Sequence, residues 1–125
     1  GAGNVGMDSD AIWTSGGGAI TCVSLTQTSR AEKKENISLL QSALDKVLET
    51  EIYEYDLKDE VEGCRKKHYG AIIGDGYSCA DEIISFDEQG IDNYSMTSIL
   101  WKSVQELAIE MKNLKKSQKE GGSYV

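Results

Sequence analysis

The chain has 125 residues, 39% apolar and 27% charged, a composition that suits one soluble domain with one modest core. Its 21 acidic against 13 basic residues give a net charge of −8. That balance argues against general binding to nucleic acid or to an anionic membrane, since both need a basic face. No apolar run approaches the roughly 18 residues of a membrane span, and the first residues lack the basic and apolar regions of a signal peptide, so a cytosolic setting is expected.

Residues 1–28 hold six of the 13 glycines and almost no charge apart from Asp8 and Asp10, a composition unlike the remainder, which places a boundary near Ser29. Within them Ile20 to Leu25 is apolar and β-branched enough to be a strand, flanked by Gly16-Gly17-Gly18 and Thr26-Gln27-Thr28. Such a strand cannot bury both faces alone and needs a partner chain or a larger body. Cys22, Cys64 and Cys79 are odd in number, form no Cys-x-x-Cys pair and have no helical spacing to His68, so three reduced thiols are expected, with no metal and no cofactor.

From Asn36 onward, Ile37, Leu40, Leu44, Val47 and Leu48 follow the rhythm of an amphipathic helix that ends near Thr50. The alternating stretch 52–57 then reads as a half-exposed strand with Tyr53, Tyr55 and Leu57 on one side. A charged loop from Lys58 to Lys67 leads into a second strand, Tyr69 to Ile73, closing a hairpin that stops at Gly74-Asp75-Gly76. Gly70, Gly74 and Gly76 do not make a phosphate loop, because no Gly-Lys-Ser/Thr or helix opening follows.

Asp81 to Ile84 suits a single helical turn, Glu88-Gln89-Gly90 a further turn, and Ile91 to Tyr94 a short extended piece. Ser95 or Thr97 is placed to cap a final helix over about 95–117, in which Leu100, Val104, Leu107, Met111 and Leu114 recur at spacings of four, three, four and three. That is a heptad seam rather than a broad globular stripe. About three heptads are marginal for an isolated coiled coil, so the seam needs help from the preceding domain or from symmetry. Trp101, beside the seam, is expected to pack at the helix base. The fold class that follows is α+β, a small antiparallel sheet with a flanking helix and a long C-terminal coiled-coil helix.

Ser29 and Lys34 carry the candidate chemistry, a hydroxyl five residues before an amine at the mouth of the first predicted helix. A serine becomes a nucleophile when a nearby base takes its proton, and a lysine is that base only when neutral. An unperturbed lysine is neutral in only about one part in two thousand at pH 7, so burial or a cationic neighbour is required. Arg30 and Lys33 are candidate neighbours, and a subunit interface would supply burial. The peptide bond before Ser29 is already tethered to its hydroxyl, and such intramolecular attack is worth an effective molarity on the order of 10⁵ M. Taken bare, the same residues also suit a helix N-cap serine followed by a solvated, charged first turn.

Ser29, Lys34, Asn36 and Ile37 resemble the Ser-Asp-x-Arg-x-Lys-x-Asn-Ile signature that opens the intramolecular chaperone domain of endosialidases and other phage tail-spike and neck-appendage proteins. His68-Tyr69-Gly70-Ala71-Ile72-Ile73 resembles its second hallmark, a His-x-Gly leading into an apolar strand. Ile91-Asp92-Asn93-Tyr94, followed by Leu100 and Val104-Gln105-Glu106-Leu107, resembles its third, an extended Tyr-containing piece entering the long helix. The three come in order and span about Ser29 to Lys116.

The resemblance implies a homotrimer that promotes folding and trimerisation of the fibrous spike preceding it and then cuts itself off once, as a single-turnover serine peptidase. It makes Ser29 the nucleophile, Lys34 the general base and Thr28-Ser29 the scissile bond. Residues 1–28 become the end of the upstream β-rich spike, 29–125 the chaperone and self-cleavage domain, and Leu100, Val104, Leu107, Met111 and Leu114 the trimer seam. Assembly in the host cytoplasm follows, with the spike going on to the virion. His68 is either a hydrogen-bonded structural residue or an orienting group at the junction.

Where the signature has Asp directly after the serine and Arg two residues further, this chain has Arg30 and Glu32, an opposite-charge pair in swapped order. That departure supports an alternative, a non-enzymatic trimerisation module capping a fibre. A third reading is an adaptor whose heptad helix binds a foreign partner helix.

Overall fold

The computed structural model describes residues 5–7, 12–14, 21–58, 60–63 and 65–120. The chain divides into two compact units, residues 1–37 and 38–125. In the first, β1 (Val5–Met7) pairs antiparallel with β2 (Ile12–Thr14), with Gly6 opposite Trp13. Residues 21–25 form no strand, and Val23 and Leu25 are exposed, so the strand expected over Ile20 to Leu25 is absent from its described part. Its apolar side chains have no ladder partner here, and a lone strand leaves its backbone groups to water. The unit closes with a 3-10 turn, Ala31–Lys33.

In the second unit the first helix is α1 (Ala43–Glu49), half the length its periodicity predicts. Asn36 and Ser42 both take left-handed backbone, with φ of 54° and 56°, and bracket a stretch without helix. Ile37, Leu39 and Leu40 are consequently exposed, whereas Ala43 is fully buried and Val47 packs against the core. The physical reason is length and partnership. A short helix in water is marginal by itself, so helix persists only where a packing partner covers its face.

That partner is α2 (Asn93–Glu120), which begins two residues before Ser95 and four before Thr97. The cap is Asp92, whose carboxylate accepts from the Tyr94 and Ser95 backbone N–H groups at 3.1 and 3.2 Å and from Ser95 Oγ at 2.9 Å. Tyr94 therefore lies in the helix rather than in an extended piece. Ile91 keeps the extended character expected of it, bridging Ile84.

Between the helices, β3 (Tyr53–Tyr55) pairs antiparallel with β4 (His68–Gly70), in the register Tyr53 to Gly70 and Tyr55 to His68. This is the expected hairpin, with its second strand starting one residue earlier and ending sooner. Gly74 and Gly76 both take positive φ in the turn that follows, and a single 3-10 turn, Asp81–Ile83, precedes the bend at Glu88. The core is small: Ala43, Ile83 and Ile99 at its centre, with Val47, Ala71, Cys79, Ile91 and Met96 packed around them.

Polar ties hold these pieces in place. Thr50 Oγ1 donates to the Lys46 carbonyl and accepts from Ala80 N–H, both at 3.0 Å, and Lys46 pairs with Glu82 at 2.9 Å. Glu106 on α2 accepts from Ala43 N–H and from Leu44 N–H, each at 2.9 Å, one through each carboxylate oxygen. The Leu44 and Ala43 amides hold the Glu106 carboxyl below the ordinary carboxylate range. A carboxyl lowered on folding adds stability above its unfolded value and loses it as pH falls through its folded value. Melting followed by circular dichroism from neutral pH to about pH 3 should therefore show a steeper acid loss in the wild type than in Glu106→Gln. Equal slopes would mean that the carboxylate contributes nothing.

Candidate functional site

Residues 21–30 run exposed, without helix or strand, up to the Ala31–Lys33 turn. Two backbone bonds close that turn, Lys33 N–H to the Arg30 carbonyl at 3.1 Å and Lys34 N–H to the Ala31 carbonyl at 3.0 Å. The local geometry decides which side chains meet. In a regular α-helix, positions i and i+5 lie about 140° apart around the axis, so Ser29 and Lys34 would diverge. One tight turn between extended flanks brings them back together: Lys34 Nζ donates to Ser29 Oγ at 2.5 Å. Ser29 is not the cap of the turn, since that position is Arg30, which makes no side-chain capping bond.

Arg30 and Glu32 turn to each other, with Arg30 Nε 3.0 Å from Glu32 Oε1, both largely exposed. The Glu32 carboxyl is held below its ordinary range, first by its own backbone N–H and then by the Arg30 guanidinium. Arg30 thus spends its charge on Glu32, which leaves Lys33 as the other candidate cation of the turn. Lys34 is itself exposed, as is the Thr28-Ser29 bond.

His68 lies in the second unit and has its own partners. Its Nε2 is 3.0 Å from Glu60 Oε1, and its ring stacks on Tyr55 with centroids 5.9 Å apart. Half-buried at the start of β4, it braces the hairpin and the loop that closes it. Gly74 and Gly76 sit at a turn that opens no helix, beside a groove of about 440 Å³ lined by Ile72, Asp75, Tyr77, Cys79 and Ile84 among others. Cys22 and Cys79 are free thiols, the latter pushed up chiefly by burial, and Cys64 lies outside the described residues. Among the described residues no cluster of His, Cys, Asp and Glu is placed to hold a metal, and no helix is long and apolar enough to cross a membrane.

Leu100, Val104, Leu107, Met111 and Leu114 are all exposed in the single chain, at 43–64% of their surface. A second stripe, Met96, Ile99, Ser103 and Glu106, runs one residue behind them and faces the core and α1. Residue-pattern reasoning passes over that stripe because two of its four members are polar. Ser103 hides its hydroxyl by donating to the Ile99 carbonyl at 2.8 Å, and Glu106 uses its carboxylate as a helix cap. Trp101, expected to pack at the helix base, is instead 71% exposed, because it falls on neither stripe's buried side.

With this geometry in view, the comparison with known families is decisive for the segment around Ser29. Residues 29–75 match the model of a peptidase family described as chaperone of endosialidase. This segment belongs to that family. The chaperone-of-endosialidase match begins at Ser29 itself, takes in Lys34, Asn36 and His68, and ends at Asp75, before the residues 91–107 that carry the third hallmark. No curated protein and no solved structure shows significant similarity to the chain.

The His68 contact yields a measurable consequence. A double-mutant cycle of His68→Ala and Glu60→Ala, read by denaturant unfolding, should give a coupling of about 0.5–1.5 kcal/mol, that of one hydrogen bond. Strictly additive effects would remove His68 from any bracing role.

Proposed function

We propose that the chain is a self-cleaving intramolecular chaperone, in which residues 29–125 promote trimerisation and folding of a phage tail-spike or neck-appendage fibre and are then released before Ser29. The observation that carries this reading is the Lys34 Nζ to Ser29 Oγ contact at the first residue of the matched family segment. In the reactive form the amine is neutral and accepts the hydroxyl proton. Ser29 Oγ then attacks the Thr28 carbonyl carbon through a five-membered ring, a tethered attack in which orientation replaces most of the entropic cost.

Collapse of the tetrahedral intermediate breaks the Thr28–Ser29 C–N bond. The proton held on Lys34 passes to the departing Ser29 amine, leaving Thr28 as an ester on Oγ. Water, deprotonated by Lys34, then hydrolyses that ester to a Thr28 carboxylate and a restored Ser29 hydroxyl. The reaction occurs once per chain and needs no cofactor. Residues 1–28 are the end of the upstream spike in this reading, and the action takes place in the host cytoplasm while the spike joins the virion. The net charge of −8 gives no basis for a nucleic-acid or membrane partner.

Assembly gates the step. The step needs a neutral amine, and burial at a subunit interface is what favours that form. The exposed seam supplies the interface, since five apolar side chains at heptad spacing are covered when three copies meet. A second reading keeps the trimer and drops the chemistry, and the self-paired, swapped Arg30 and Glu32 favour it.

Intact mass of freshly made protein separates the two. The wild type should yield fragments meeting at Thr28-Ser29, and Ser29→Ala and Lys34→Ala should stay whole while still forming trimers. Efficient processing of either variant would eliminate the dyad. Leu107→Asp combined with Met111→Asp should give monomers by light scattering that are not cut at neutral pH, and cleavage of such monomers at the wild-type rate would refute the gating.

A further inference from the structure

Three consecutive residues of α2 serve three different surfaces. Ile99 is buried in the core, Leu100 belongs to the exposed seam, and Trp101 is exposed over 71% of its surface. At about 100° per residue, Ile99 and Trp101 lie to either side of Leu100. Trp101 therefore stands on the flank of α2 turned away from α1, yet level with it, since α1 packs on α2 between Ile99 and Glu106.

Helix α1 has an apolar strip of its own. Ala43 and Val47 face the core, and Leu44 and Leu48, each one residue later, lie about 100° around the helix. Leu48 is 72% exposed and Leu44 is half-buried. Helix α1 runs antiparallel to α2. Its first amides bond Glu106, while its far end is tied through Thr50 and Lys46 to Ala80 and Glu82, next to the Ile83 carbonyl that accepts from Asp92 N–H at 2.8 Å. For a right-handed helix running that way, the step from Ala43 to Leu44 rotates toward the side on which α2 shows its seam. Leu44 and Leu48 thus widen the seam on one flank, and Trp101 widens it on the other.

We propose that Trp101 of one copy docks on Leu44 and Leu48 of the next copy's α1 when three chains meet along the seam. This rests on the trimer reading above and not on self-cleavage. Parallel helices that turn their seams to a common axis each set one flank against the opposite flank of the next. With α1 carried on the first flank, Trp101 on the second faces the neighbour's α1, and rotation about the axis keeps the two at one height. Three such contacts close the ring. The orientation is part of the proposal, because antiparallel copies would set like flanks together and leave Leu48 without Trp101. An indole on two leucines is also the kind of anchor that carries much of an interface's energy.

The test follows the full chain carrying Trp13→Phe, which leaves Trp101 as its one indole, by light scattering and tryptophan emission over a dilution series. Scattering should report trimers at high concentration, where the emission lies to the blue, and the emission should move to the red as dilution frees the chains. Trp101→Ala, followed by scattering alone, should raise the concentration for half-assembly about tenfold or more. Leu48→Ala should raise it less, and the double variant should lose little beyond Trp101→Ala, because the two residues act through one contact. Within a single chain they lie on opposite flanks, so such coupling arises only between copies. Trimers whose Trp101 emission stays at the red, exposed position, or strictly additive effects of the two substitutions, would overturn the docking and leave the trimer standing. Monomers at every concentration, or assemblies of another number, would overturn the trimer reading and the docking with it.

Discussion

Two backbone amides at the start of α1 are satisfied by one carboxylate that lies 62 and 63 residues away in sequence, and the second unit is arranged around that pairing. Its apolar centre consists of Ala43, Ile83 and Ile99, none of them large enough to carry a domain by burial alone. Each full side-chain burial of this kind is worth roughly 1.5–3 kcal/mol at most, so polar ties decide the arrangement to an unusual degree. Glu106 fixes where α1 starts, Thr50 fixes where it ends by bonding across to Ala80, and the Lys46–Glu82 pair ties its flank to the turn before α2. Each tie joins residues distant in sequence, the Glu106 one reaching α2 and the other two the segment just before it.

The Ser29–Lys34 contact depends on a different local constraint. The turn from Ala31 to Lys33 is a single 3-10 loop bounded by extended residues, and its tightness brings the amine onto the hydroxyl. A continuous helix from Ser29, the bare alternative reading of these residues, would separate the pair. Asn36, of a type that tolerates left-handed backbone, and Ser42 both take that conformation and bound the non-helical stretch before α1.

Helix α2 has two working stripes one residue apart. The inner one is half polar and spent on the chain's own core; the outer one is apolar and exposed along five positions. In the proposed assembly this exposed apolar seam is the surface that copies of the chain would share.

The amino-acid sequence by itself specified the hairpin of Tyr53–Tyr55 with His68–Gly70, the Gly74–Gly76 turn and the long C-terminal helix, because each is written in a local period or in local turn chemistry. It also placed Ser29 and Lys34 at the opening of the segment that matches the chaperone-of-endosialidase model, since that likeness rests on residues close together in the chain. Tertiary structure alone decided that the first helix keeps only its second half, that Asp92 rather than Ser95 caps α2, and that Arg30 is spent on Glu32. It alone recruited Glu106 as the cap of a helix far upstream. The physical reason is common to these cases: a helix boundary, a cap or an ion pair depends on which partner reaches a given group, and partners distant in sequence become known only when the chain has folded.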